Sequence, residues 1–156
     1  MDALKKLRIV IRTAQRHSAW IEKQCGVSGA QLWVMQELLD TPGVRVGELA
    51  ERLAMHQTTT SNLVDALAKR ALVTKTRDQH DQRVVKLMLS AEGKKVMKTA
   101  PKPSRGLLPE ALRKLEQEHL QQLDSGLQAM LDAINPADET DAMEPLPFTL
   151  RAGRPR

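Results

Sequence analysis

A mainly α-helical fold with a small β-hairpin wing is predicted by three features of this chain. Segments near both ends carry apolar residues at alternating spacings of three and four, short capped helical segments lie between them, and one pair of β-branched alternating runs flanks a polar turn. At 156 residues, 41% hydrophobic and 28% charged, the chain suffices for about one folded domain with its own core.

The first helix is predicted over residues 1–25. Leu4, Leu7, Ile11, Ala14, Ser18, Ile21 and Cys25 form a seam-like stripe, and Gly26 is the stop. "SGAQ" has the S-x-x-Q form of a capping box and opens a second helix with Leu32, Met35, Leu38 and Leu39 on its apolar face, closed by "DTPG". "GELAERLAM" follows as a short helix that turns Leu49, Ala50 and Leu53 inward. The next helix begins in "HQTTTSNLVDALAKR" and places Leu63, Val64 and Leu67 on one side. "LVTKTR" and "VVKLML" then read as a hairpin around "DQHDQ". Ser90 caps a helix whose Glu92 suits the N-terminal dipole. Pro101, Pro103, Gly106 and Pro109 break the pattern, with Pro109 in the first turn of the resumed helix. Leu120, Leu123, Leu127, Met130 and Ile134 repeat the three-four seam. Residues 135–156 are proline-rich with scattered acids and are expected to be a disordered tail.

Composition narrows the function. Aromatics are 2% of the chain (Trp20, Trp33 and Phe148), and tyrosine is absent, which argues against modules that stack single-stranded bases. A net charge of +5 favours an acidic partner. No apolar run approaches the ~20 residues that span a membrane, and the N-terminal stretch lacks a signal-peptide core. A mature cytoplasmic protein with no membrane partner is therefore expected. One cysteine, Cys25, excludes an internal disulfide.

Helix, short helix, helix and hairpin in that order make a winged helix-turn-helix, flanked here by N- and C-terminal dimerisation helices. In that arrangement the third helix of the unit enters the DNA major groove with its N-terminal residues at base edges. The unusual run of Thr58, Thr59 and Thr60 then has a use, because threonine hydroxyls at a helix head cap amides or bond phosphates and base edges. Gln57 and Asn62 supply amides that pair with adenine, and Thr58 and Ser61 join them in selecting bases. Lys69, Arg70, Lys75 and Arg77 are candidates for phosphates. In the turn, Arg83 is placed to enter a narrow minor groove, with Asp81 able to orient it by a carboxylate–guanidinium pair. Base-reading and wing contacts are thus assigned to Gln57, Thr58, Thr59, Ser61, Asn62, Lys69, Arg70, Lys75, Arg77, Asp81 and Arg83.

These residues resemble the MarR family of bacterial transcriptional regulators over roughly residues 25–97. The resemblance is carried by the E-L-A opening, the L-V-D-x-L centre, the D-x-R wing (Asp81, Gln82, Arg83) and the L-S-x-x-G exit (Leu89, Ser90, Gly93), all in register. It implies a homodimer with interlocked first and last helices, binding palindromic double-stranded DNA, most simply a ligand-responsive repressor. It also implies a crevice for small aromatic effectors between the dimer helices and the DNA-binding lobe, for which Trp20 is the candidate. Two positions depart from the family pattern. Ala71 replaces the usual glycine after the recognition helix, and Asn62 stands where a basic residue is frequent, so base preference cannot be carried over.

The domain expectation is dimerisation helices at 1–25 and 104–134, a winged lobe with its exit helix at 26–103, and the tail at 135–156. Leu4, Leu7, Ile11, Leu120, Leu123 and Leu127 are assigned to the dimer seam, because a lone domain would leave them partly exposed. No cofactor or metal is expected, since His17, His56, His80 and His119 lack ligand spacing. Cys25 reads as a packed residue rather than a redox sensor, a helix C-terminus being unfavourable for a thiolate. "RAGRPR" resembles Gly-Arg-Pro minor-groove hooks, but Ala152 interrupts their core and a solvated tail is the simpler reading. No Ser-His-Asp, paired-carboxylate or phosphate-loop arrangement supports an enzyme. The alternative is a winged-helix protein–protein adaptor without a specific DNA site.

Overall fold

The computed structural model describes residues 2–135 and 140–150. Helix α1 spans Asp2–Cys25, α2 Gly29–Asp40, α3 Val46–Leu53 and α4 Gln57–Lys69. Strands β1 (Val73–Arg77) and β2 (Val85–Leu89) follow, then α5 (Ala91–Thr99), α6 (Leu107–Lys114) and α7 (Gln117–Ile134). Two short 3-10 turns, Thr140–Met143 and Pro147–Thr149, end the described chain.

Local chemistry sets most of these boundaries. Gly26 follows α1 with φ +67°, a left-handed stop that costs glycine nothing. The Ser28 hydroxyl accepts the Gln31 N–H at 3.1 Å and the Gln31 side chain accepts the Ser28 N–H at 2.9 Å, completing the capping box of α2. Ser90 Oγ accepts the Gly93 N–H at 3.0 Å and donates to the Ala71 carbonyl at 2.6 Å, so one side chain caps α5 and ties it to the end of α4.

The core is built around α2, whose Leu32, Val34, Met35 and Leu38 are all essentially inaccessible. Ile21 of α1, Leu49 and Leu53 of α3, Leu63, Val64 and Leu67 of α4, and Leu87 and Leu89 of β2 pack with it. The strands are antiparallel, with Val73 opposite Leu89 and Arg77 opposite Val85. Val44 pairs with Leu87, so the α2–α3 loop adds a third arm to the wing and fixes the hairpin against α3.

The predicted α1 stripe divides in two. Ala14, Ser18 and Ile21 are buried within the protomer, whereas Leu4 and Ile11 are exposed and Leu7 is half-buried. At the other end, α6 and α7 are separate helices rather than one, because Leu115 and Glu116 take extended backbone between them. Neither helix has a buried residue; Leu120 is half-buried, and Leu123 and Leu127 are exposed. The tail expected to be disordered over 135–156 differs over residues 140–150, which pack against α1 and the head of α4. Prolines 145 and 147 suit such turns, Pro145 is buried, and Ser18 Oγ donates to the Phe148 carbonyl at 2.9 Å. "RAGRPR" lies outside the described residues.

Candidate nucleic-acid interface

The three threonines at the head of α4 have three different surroundings. Thr60 is fully buried, and its hydroxyl donates to the His56 carbonyl at 3.0 Å, which also accepts the Thr60 N–H at 3.0 Å. Its methyl thus faces the core while its polar atom is satisfied locally. Thr58 is exposed. Thr59 is half-buried and donates to both carboxylate oxygens of Glu144 at 3.1 and 3.2 Å. Gln57 and Asn62 are exposed and Ser61 half-buried, so the outward face of the first turns is polar and uncharged.

Residues on both sides of α4 fix its direction. Ala54, the C-terminal cap of α3, has φ +51°, and Ala71, just beyond α4, has φ +56°. The departure from glycine at Ala71 is thus a true left-handed alanine, which costs roughly 1 kcal/mol.

The basic candidates are not equivalent. Arg70 donates from Nη1 to the Gly26 carbonyl at 2.6 Å, pinning the end of α4 to the end of α1. Lys75 is ion-paired with Asp65 across α4 and β1, and Arg77 donates to the Gln82 carbonyl at 3.1 Å within the hairpin. Lys69 and Arg83 are exposed. Asp81 accepts the Arg83 backbone N–H at 3.0 Å, so its carboxylate shapes the turn that carries Arg83 rather than gripping the guanidinium. Asp78, which the sequence reading did not single out, organises the same turn. It accepts from Lys86 and from the backbone N–H groups of His80 and Asp81, and the Lys86 hydrogen bond, with help from those amides, holds its carboxyl down to about 2.

The wing tip and the polar head of α4 stand on one winged lobe, and the lobe's sequence is recognisable. Residues 26–84 match the MarR family. Over these residues the lobe is similar to that family. The chain is 28% identical over 96 residues to the uncharacterized HTH-type transcriptional regulator YsmB of Bacillus subtilis, covering 62% of this chain and 66% of YsmB. It is 36% identical over 73 residues to the HTH-type transcriptional repressor MdtR of the same organism, covering 47% of this chain and 46% of MdtR. The match thus spans less than two thirds of YsmB and less than half of MdtR. Among solved structures, an S. aureus MepR mutant bound to an oligodeoxyribonucleotide shares the fold, with TM-score 0.55, 19% identity, and coverage of 85% of this chain and 97% of that one.

Beside this lobe, a cavity of about 390 Å³ opens between α1, α2 and the start of α6. Its walls are mostly apolar and include Ile21, Trp33, Leu107, Leu112 and Phe148, with His17 among its polar groups. Trp20, the candidate for this crevice, is not among its lining residues. Its side chain stands outward, its ring centroid 5.8 Å from that of His17 in an edge-on arrangement, because its turn of α1 directs His17 and Ile21 inward instead. Arg105, also at the cavity, pairs through Nε with Glu37 at 2.8 Å and through Nη2 with Asp40. Trp33 Nε1 donates to the same Glu37 oxygen at 3.2 Å, so the buried carboxylate is doubly satisfied. Cys25 is half-buried, and burial pushes its thiol up, which opposes thiolate chemistry. Among the described residues, no group of His, Cys, Asp or Glu is placed to hold a metal ion.

Neither Glu144 nor the contacts of His56 with Thr140 and Met143 are marked by a motif. The only signal was the acidic stretch 138–144 in a chain of net positive charge.

Proposed function

We propose that this chain is a homodimeric, sequence-specific double-stranded-DNA-binding transcriptional regulator of the cytoplasm, a ligand-responsive repressor. The observation that carries the reading is the exposed polar head of α4, with Gln57, Thr58 and Asn62, on the same lobe as a wing whose turn presents the exposed Arg83. The similarity to the MarR family supports it, as do the repressor role of MdtR and the oligodeoxyribonucleotide bound by the MepR mutant. Base selection is assigned to Gln57, Thr58, Thr59, Ser61 and Asn62, and groove and phosphate contacts to Lys69 and Arg83, with Lys75 and Arg77 available only by trading internal partners. Arg70 and Asp81 hold the lobe's shape.

Dimerisation through α1 and α7 is supported by exposed apolar side chains: Leu4, Ile9, Val10 and Ile11 on one helix, and Leu123, Leu127, Met130 and Ile134 on the other. Two lobes so joined would address a palindromic duplex. The apolar cavity would take a small aromatic effector, and its position between α1 and the lobe gives that ligand leverage on lobe spacing. No helix among the described residues is long and apolar enough to cross a membrane.

The test is affinity for a duplex selected from random sequence and for unselected duplex, over a salt series. Gln57→Ala is expected to cost about 1–3 kcal/mol on the selected duplex and much less on unselected DNA. Arg83→Ala is expected to weaken both, and to flatten the log–log salt slope by about one unit where a phosphate contact is lost. A protein–protein adaptor would instead show no selected sequence and no loss with either variant.

A further inference from the structure

Residues 140–150 touch the molecule at two places. At the head of α4, the His56 N–H donates to the Met143 carbonyl at 3.0 Å and His56 Nε2 to the Thr140 carbonyl at 3.2 Å. There too, the Thr59 hydroxyl donates to the Glu144 carboxylate. At α1, Ser18 holds the Phe148 carbonyl, and Pro145 is buried between the two contacts. Apolar anchoring at one end thus delivers a carboxylate to the other.

The chemistry of that carboxylate is specific to its place. A helix N-terminus carries partial positive charge and free N–H groups, so it favours a carboxylate for the same reason that it favours a phosphate. The sequence from 136 to 150 contains Asp138, Glu139, Asp141 and Glu144 and no lysine or arginine, on a chain of net charge +5. Glu144 and a DNA phosphate or base edge would compete for Thr59 and the space before it. We propose that residues 140–150 form an acidic strap that covers the base-reading head of α4 in the DNA-free protein and leaves it when duplex DNA binds. The proposal rests on α4 being the reading helix, and it adds an intrinsic competitor to that reading. Apparent DNA affinity is then lowered by the fraction of molecules with the strap closed.

Full-length wild type, Glu144→Ala, Phe148→Ala and Asp141→Asn are compared for binding to a duplex enriched from a random-sequence library by the wild-type protein. Glu144→Ala removes the competing carboxylate, and Phe148→Ala loosens the anchor without changing charge. Both are expected to bind roughly 3- to 10-fold more tightly. Asp141→Asn removes an equal charge but not the Thr59 contact and is expected to change affinity less than about twofold. In wild type, amide hydrogen exchange at Glu144, Thr149 and Leu150, whose N–H groups are bonded within the strap, is expected to speed up on adding that duplex. Unchanged affinity in both Glu144→Ala and Phe148→Ala, an equal gain in Asp141→Asn, or retained protection in the complex would each overturn the strap while leaving DNA recognition by α4 intact. If no variant binds any duplex, the DNA reading fails and the strap with it.

Discussion

Gly93→Ala tests how α5 is set against the wing. In a helix interior this exchange ordinarily gains roughly 0.5–1 kcal/mol, because alanine loses less backbone freedom on folding. Here a Cβ on Gly93 would stand 2.1 Å from the Leu72 carbonyl oxygen and 3.1 Å from a Leu89 methyl. The first neighbour is backbone, held in place by the Ser90 N–H, which donates to that same oxygen at 3.1 Å. Relief to an ordinary contact distance means moving α5 away by more than 1 Å, a separation estimated from van der Waals contact near 3.5 Å. That shift would strain the Ser90 bonds to Ala71 and Leu72 and open the Leu89 and Met97 packing beneath. Overpacking of this kind costs about 1–3 kcal/mol, and each lost hydrogen bond about 1 kcal/mol more. Net destabilisation of about 2–4 kcal/mol is expected after the helix-propensity gain is subtracted. Urea unfolding at fixed protein concentration should show a lowered midpoint with an unchanged slope. A midpoint equal to or above wild type would refute the close approach of α5 to Leu72, and with it this account of why the L-S-x-x-G exit ends in glycine.

Ala71→Gly should act in the opposite direction, raising stability by roughly 0.5–1 kcal/mol in the same assay, since relief of a left-handed alanine outweighs the added freedom of the unfolded chain. Ile11→Asp should convert the proposed dimer to monomer or unfold it, read by light scattering at micromolar concentration, because the charge would be buried unpaired in the proposed seam; a wild-type monomer would refute the seam itself. Asp78 should titrate near 2 by NMR of its carboxyl carbon. Its folded value lies below the ordinary ~3.9, so its support of the wing turn is fully present above about pH 4 and is lost as pH falls through about 2. A midpoint near 4 would show that the Lys86 and backbone contacts are not kept in solution.

Elements whose boundaries depend on side-chain chemistry were legible in the sequence. The Ser28–Gln31 box, the Ser90 cap, the Gly26 stop and the alternating strands announce themselves because a particular residue type performs each task. Packing of residues 140–150 was not legible, because their attachments use the carbonyls of Thr140, Met143 and Phe148, and every residue type has a carbonyl. The division between α6 and α7 carries no proline or glycine at Leu115 or Glu116, so local sequence gives no warning of it. In the candidate interface, the identity of the polar head could be read, but its availability could not. Arg70 and Lys75 look like phosphate ligands by charge alone until their partners, Gly26 and Asp65, are brought near by the fold. Thr60 likewise separates from Thr58 and Thr59 only once the helix phase places it inward.

The two left-handed alanines on either side of α4 have a consequence for how recognition can change over time. Ala54 and Ala71 set the entry and exit of the helix through backbone geometry, and Thr60, Leu63, Val64 and Leu67 seat its inner face. None of these uses the side chains of Gln57, Thr58 or Asn62. The mounting and the proposed reading face are therefore written in separate residues. On the proposed role of α4, a new base preference would be acquired by exchanging two or three exposed side chains while the helix keeps its aim, and grafting another reader's outer face onto this mounting would be a practical route to a regulator with a chosen target.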